Sequence, residues 1–233
     1  CSSDLQPNIL AHSWVMPDNF HVNIKVMQSK ETRIQINELG DATFTTHVKI
    51  NEGTEKGVSL VANVTHSLDS YVLRSLVRRA SFISSKVEAA SDAITIELLS
   101  RTEEKACPKS EEELLNMLTI YEYSKMLDVS IIDYITHENI QYVPTTLLKK
   151  LNKTLNKMLE LRSKPVLTIH DAYAAPVSHC NAVRYWYAEI LAEVAESNML
   201  NFLLSQITGK PSNLSKKSQN LGDLIRNSNY ALS

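Results

Sequence analysis

The sequence predicts an α+β chain, and three observations carry that expectation. Apolar and polar residues alternate at 20–26 and again at 33–37, the two-residue period of strands with one buried face. Apolar residues recur at helical spacing along 59–88 and 178–206, where Leu68, Val72, Leu76 and Ile83, then Val183, Trp186, Ile190 and Val194, form stripes. Between those helices the run Val166, Leu167, Thr168 and Ile169, bounded by Pro165 and Pro176, reads as a short buried strand.

Bulk properties narrow the class. At 233 residues the chain is one large domain or two small ones, long enough to bury a real core. With 43% hydrophobic and 21% charged residues it suggests neither disorder nor a membrane protein. No apolar run reaches bilayer length and no signal peptide is expected; a first residue of Cys rather than Met suggests a fragment or a processed chain. Cys1, Cys107 and Cys180 are odd in number and far apart, which argues against a disulfide framework and fits a reducing compartment. The net charge of -2 gives no global basic signature, so any contact with nucleic acid must come from local patches.

In chain order, Trp14 leads into a turn at Pro17, Asp18 and Asn19, and Phe20, Val22, Ile24 and Val26 mark a strand. Residues 32–50 form a long β-hairpin around a turn at 38–41. Its polar face carries Arg33, Gln35 and Asn37, a face that is ordinarily solvated but whose residue types also read base edges through bidentate contacts. A helix over 59–88 follows, with His66, Ser67 and Asp69 near its start and Arg74 beyond; polar groups beside an apolar stripe need partners where buried. Residues 91–162 read as mostly helical. Ser110 and Glu113 form a capping box for a helix reaching about 128, and Pro144 opens another over 145–162. Lys149, Lys153 and Lys157 recur there every fourth residue beside Lys150, a solvated basic face or a surface that tracks phosphates. The last helix, 178–206, ends near Gly209 and Pro211, and a polar tail finishes in Tyr230, Ala231, Leu232 and Ser233. The expected organisation is a palm-edge strand and hairpin at 1–58, a palm helix at 59–90, a helical insertion at 91–162, and a catalytic strand-turn, long helix and C-terminal foot at 163–233.

The stretch 164–176, Lys-Pro-Val-Leu-Thr-Ile-His-Asp-Ala-Tyr-Ala-Ala-Pro, is the focus. A strand that delivers His170 and Asp171 into small residues leaves room for something large to approach the carboxylate. The segment Thr168-Ile-His-Asp-Ala-Tyr173 resembles the His-Asp-Ser/Ala-Phe/Tyr motif of the single-subunit, T7-like DNA-directed RNA polymerases of phages and mitochondria. Ala62-Asn-Val-Thr-His-Ser-Leu-Asp-Ser-Tyr-Val-Leu-Arg74 resembles that family's Pro-Asn-Phe-Val-His-Ser-x-Asp helix, and Trp14-Val-Met-Pro-Asp-Asn-Phe-His-Val22 its Trp-x-Thr-Pro-x-Gly-Phe-x-Val segment. The end of the chain, from Asn220 to Ser233, is similar to the family's aromatic C-terminal foot. The four segments stand in the family's order and are spread from end to end of the sequence. DNA polymerases that share the palm usually carry Glu after the His-Asp pair; Ala172 in that place favours RNA synthesis.

The resemblance implies the C-terminal part of a polymerase right-hand fold and in-line nucleotide addition with two Mg²⁺ ions. Asp171 becomes a metal-binding carboxylate. His170 shapes the turn or contacts the primer end, and His66 lies near the catalytic site, with Asp69, Arg74 and Tyr173 in the surrounding layer. Residues 32–50 become the promoter-reading hairpin, which makes Arg33, Gln35 and Asn37 base-contact candidates beside Lys149 and Lys153, and Tyr230 and Ser233 close the foot. The family's second metal-binding Asp and its Tyr-Gly nucleotide helix have no counterpart in these residues. The implied partners are therefore a second polymerase chain, as in the split enzymes of N4-like phages, with template DNA, nascent RNA and nucleoside triphosphates, and no membrane. The implied setting is the cytoplasm of an infected bacterium, with a virion or a mitochondrion as alternatives. A non-catalytic DNA-binding or assembly subunit on the same scaffold, or a DNA polymerase of the related palm family, is the competing reading.

Overall fold

A computed structural model of the chain describes residues 10–36, 38, 40–52, 58–169 and 172–228. His170, Asp171, Asn37, Tyr230 and Ser233 lie outside the described residues. The fold is mixed α+β with small antiparallel sheets, as the sequence predicts.

Two hairpins open the chain. β1 (Ala11–Val15) pairs antiparallel with β2 (His21–Lys25), Trp14 standing opposite Val22. The turn between them needs a left-handed residue, supplied by Asn19 at φ 58°. β2 matches the predicted strand. β1 escapes sequence reading because His12 and Ser13 interrupt its apolar character, yet Trp14 is buried and its indole N–H donates to Ser67 Oγ at 3.2 Å. β3 (Gln28–Ile36) and β4 (Ala42–Ile50) form the long hairpin, with Ile34 opposite Phe44 and Arg33 opposite Thr45. Both of its faces are largely exposed, so it stands out from the body. Its base is stapled to the first hairpin by Asn51. That side chain accepts from Leu10 N at 2.6 Å and donates to the carbonyls of Leu10 at 2.9 Å and Val26 at 2.6 Å.

The predicted helix over 59–88 is two helices, α1 (Val58–Ala80) and α2 (Ser84–Ser100). Groups distant in sequence intercept its backbone: Lys164 N donates to Ala80 O at 3.1 Å, and Phe82 N donates to Ser163 Oγ at 2.7 Å. α3 (Glu112–Ser124) begins after Glu111, and its N-cap makes no side-chain bond. The predicted capping box from Ser110 does not form, because the cap falls one residue later and the Glu111 carboxylate accepts from Asn139 Nδ2 at 2.9 Å instead. After two short 3-10 turns, Val129–Asp133 and Ile140–Tyr142, α4 (Thr145–Leu161) starts from Pro144 and buries Leu147, Leu148, Leu151, Leu155 and Met158. These side chains share one core cluster with Trp14, Leu76, Trp186 and Ile190, so residues 91–162 are packed into the body.

β5 (Leu167–Ile169) pairs with β6 (Ala172–Ala174), Thr168 opposite Tyr173. The predicted strand is present, but it is exposed: Leu167 is 67% and Ile169 66% accessible. Strand alternation explains the difference. Tyr173 is half-buried against the helix that follows, so the opposite face, with Leu167 and Ile169, is turned to solvent. The predicted helix over 178–206 divides into α5 (Cys180–Glu196) and α6 (Met199–Thr208). The break is held by Asn198, whose N–H donates to Ser124 O at 2.7 Å and whose side-chain amide donates to Tyr123 O at 3.1 Å. Gly209 at φ 65° caps α6, as expected, and α7 (Leu221–Arg226) folds back on α5. Among the described residues no helix is long and apolar enough to cross a membrane.

Candidate functional site

α1 and α5 pack side by side, and between them opens a cleft of about 600 Å³. One wall is α1, where the three-residue spacing of His66 and Asp69 puts both on one face beside Ser70 and Leu73. Tyr187 and Leu191 of α5 form the other wall, and Tyr173 of β6 closes one side. Tyr173 meets Tyr187 edge-on, ring centroids 5.9 Å apart at 63°. His66 and Asp69 are exposed, so their imidazole and carboxylate are open to an incoming ligand. Three of the residues singled out from sequence, on two separate motifs, thus converge on one cleft. Tyr173 lies two positions after Asp171, in the middle of β6.

The walls are locked from behind. Arg79 of α1 is fully buried and donates to Glu193 of α5 at 2.6 Å, with its guanidinium 5.3 Å from the Trp186 ring centre. Burial opposes the Arg79 charge, and the adjacent Glu193 carboxylate more than restores it. Half a turn away a second ion network ties α1 to the first hairpin. Arg74 grips Asp18 with two bonds, 2.7 and 3.0 Å, and lies 4.3 Å from the Phe20 ring centre. Arg78 donates to both Asp18 and Asp128, each at 2.9 Å. Asp128 is fully buried. Burial pushes its carboxyl up, but the Arg78 charge and hydrogen bond, with the Ser130 N–H, hold it below the usual range. Tyr71, buried on the same helix, has its hydroxyl pushed well above its ordinary value by burial and then by Asp128.

Arg74, expected in the layer around the site, is thereby placed in the brace between α1 and the turn after β1. Arg78, Arg79 and Glu193 were not singled out from sequence, and Asp18 was read only as a turn residue; each meets its partner across long stretches of chain, and no spacing rule reports that. Tyr187 and Leu191 flank the apolar stripe of α5 one position over, the only sign they carried. Arg33 and Gln35 sit on the exposed polar face of β3, apart from the cleft, and share that face with Thr43, Thr45 and His47 across the register. Lys149 and Lys153 are exposed on α4, and Lys153 lines a second cleft between α4 and α5.

Among the described residues no three His, Cys, Asp or Glu side chains gather into a group that could hold a metal ion. No protein-family model matches the chain, and no curated protein matches it.

Proposed function

We propose that this chain is one part of a split DNA-directed RNA polymerase of the single-subunit type, supplying Asp171 to an active site completed by a second chain. The observation that carries the reading is the convergence of His66 and Asp69 on α1 with Tyr173 on β6 in one open cleft. These residues belong to two motifs that resemble the polymerase family and are far apart in sequence. A chance pair of motif matches has no reason to share a cleft.

In this reading the β5–β6 hairpin, α1 and α5 are palm elements, and the β3–β4 hairpin reads promoter DNA. Two-stranded ribbons fit the major groove, and the exposed Arg33 and Gln35 are bidentate readers of guanine and adenine. A carboxylate such as Asp171 is the hard oxygen donor that Mg²⁺ takes one or two at a time, together with substrate phosphates. When bound, the paired ions stabilise the attacking 3′-oxygen and the leaving pyrophosphate. This chain's own part is to position. Asp171 holds its share of the charge, His66 presents an imidazole to the cleft, and Asp69 lies one turn further along the same helix face. Tyr173, fixed edge-on by Tyr187, keeps the hairpin against α5. The remaining carboxylate and the nucleotide-binding helix come from the partner, and the ligands are template DNA, nascent RNA and nucleoside triphosphates.

The test is Asp171→Asn in the complex of this chain with its partner. Mg²⁺-dependent primer extension is abolished while the complex still assembles and binds template. Extension at the wild-type rate sinks the reading.

A further inference from the structure

A second cleft, of about 790 Å³, lies between α4 and α5 under α7. Of its lining only Lys153, an expected nucleic-acid contact, belongs to the reading above. Its α4 wall carries Lys150, Lys153 and Lys157, spaced three and four residues apart on one helix face. At a rise of about 1.5 Å per residue they form a cationic row about 10 Å long. The opposite wall and rim carry Glu160, Glu189, Glu193 and Glu196, which would cancel those charges if they were free. They are not free. Glu160 is bonded to Lys157 at 2.7 Å, and Glu193 lies on Arg79 at 2.6 Å. Arg226 of α7 holds Glu189 at 2.9 Å and also binds Glu196. Among the described residues, neither Lys150 nor Lys153 makes an ion pair or a side-chain hydrogen bond. The Glu196 carboxyl is held low by the Arg226 hydrogen bond first, with Lys150 a smaller influence.

The cleft therefore contains two uncommitted cations beside carboxylates that already have partners. An anion entering it meets Lys150 and Lys153 with no direct ion partner, Lys150 being only a secondary influence on Glu196, which shares Arg226 with Glu189. The row suits consecutive anionic groups better than a single one, because one phosphate cannot reach lysines spread along two turns of helix. We infer that the α4–α5 cleft binds a ligand with two or three consecutive phosphates, through Lys150 and Lys153, with Lys157 exchanging Glu160 for the ligand at the end of the row. A nucleoside triphosphate and the backbone of a single nucleic-acid strand both offer that chemistry.

The probe is tripolyphosphate, titrated calorimetrically into the full chain at low ionic strength, where exposed charges are least screened. Saturable binding at one site is expected, weakened at least about tenfold in Lys150→Ala/Lys153→Ala. Alanine keeps α4 helical, and circular dichroism checks that. A control variant, Lys105→Ala/Lys109→Ala, removes the same charge elsewhere and retains the affinity. Competition by adenosine triphosphate marks a nucleotide as the ligand, and competition by a single-stranded oligonucleotide alone marks a strand backbone. Absence of saturable binding, equal binding by the Lys150/Lys153 variant, an equal loss in the control, or competition by neither ligand overturns the inference. Asp171→Asn leaves this binding unchanged, so failure here does not bear on the catalytic reading.

Discussion

Asp128 shows how single residues carry the scaffold. Its carboxylate is fully buried between Arg78 and the Ser130 N–H, and its pKa is depressed by those partners against the opposing effect of burial. A depressed carboxyl stabilises the fold above its ordinary pKa near 4, and that contribution fades as pH falls through the folded value. Asp128→Asn is expected to cost about 1–3 kcal/mol at neutral pH, since Arg78 keeps only Asp18 as an ion partner. Urea unfolding of both proteins across the acid range measures it. The wild-type advantage shrinks below about pH 4, and an advantage that stays constant down to strong acid contradicts the assignment. Residues of this kind were the least legible in the sequence. His66, Asp69 and Tyr173 stood out because a motif contained them. Asp18 and Arg74 also lie within motif segments, but their mutual bond across two elements leaves no local pattern.

At the scale of elements, periodicity read the type of nearly every segment and missed where they stop. The β3–β4 hairpin was legible because alternation and turn chemistry are local. The continuous helices expected over 59–88 and 178–206 are each broken by donors and acceptors from elsewhere, Ser163 and Lys164 in one case and Ser124 in the other. Apolar stripes continue across both breaks, so periodicity alone reports one helix. The exposure of β5 was likewise hidden, because a run of apolar residues says what tends to be buried and not which face a partner covers. Besides the core packing they share, α1 and α5 are joined by the buried Arg79–Glu193 bond. Glu193→Ala leaves Arg79 charged and fully buried without a counter-ion, an expected loss of about 3–5 kcal/mol. Thermal unfolding measures the loss, and a drop within the error of wild type shows that the clamp contributes nothing.

For the whole molecule, the α+β class followed from composition and period, and a single core cluster runs from Trp14 to Leu203 through the middle region expected as an insertion. The helices of that region are amphipathic and bury their stripes in the same core as α1 and α5, which the sequence could not distinguish from an appended module. The candidate site was legible in part, since the cleft collects residues from two motifs. On the proposed reading a second carboxylate comes from a partner chain, an expectation that rests on the absence of a motif in the sequence. That absence motivates the central proposal, that these residues are half of an active site. The most direct measurement is RNA synthesis reconstituted from this chain and its co-purifying partner, each expressed separately and then mixed with template, nucleoside triphosphates and Mg²⁺. The account predicts RNA only when both chains are present. Synthesis by either chain alone at the rate of the mixture would contradict it.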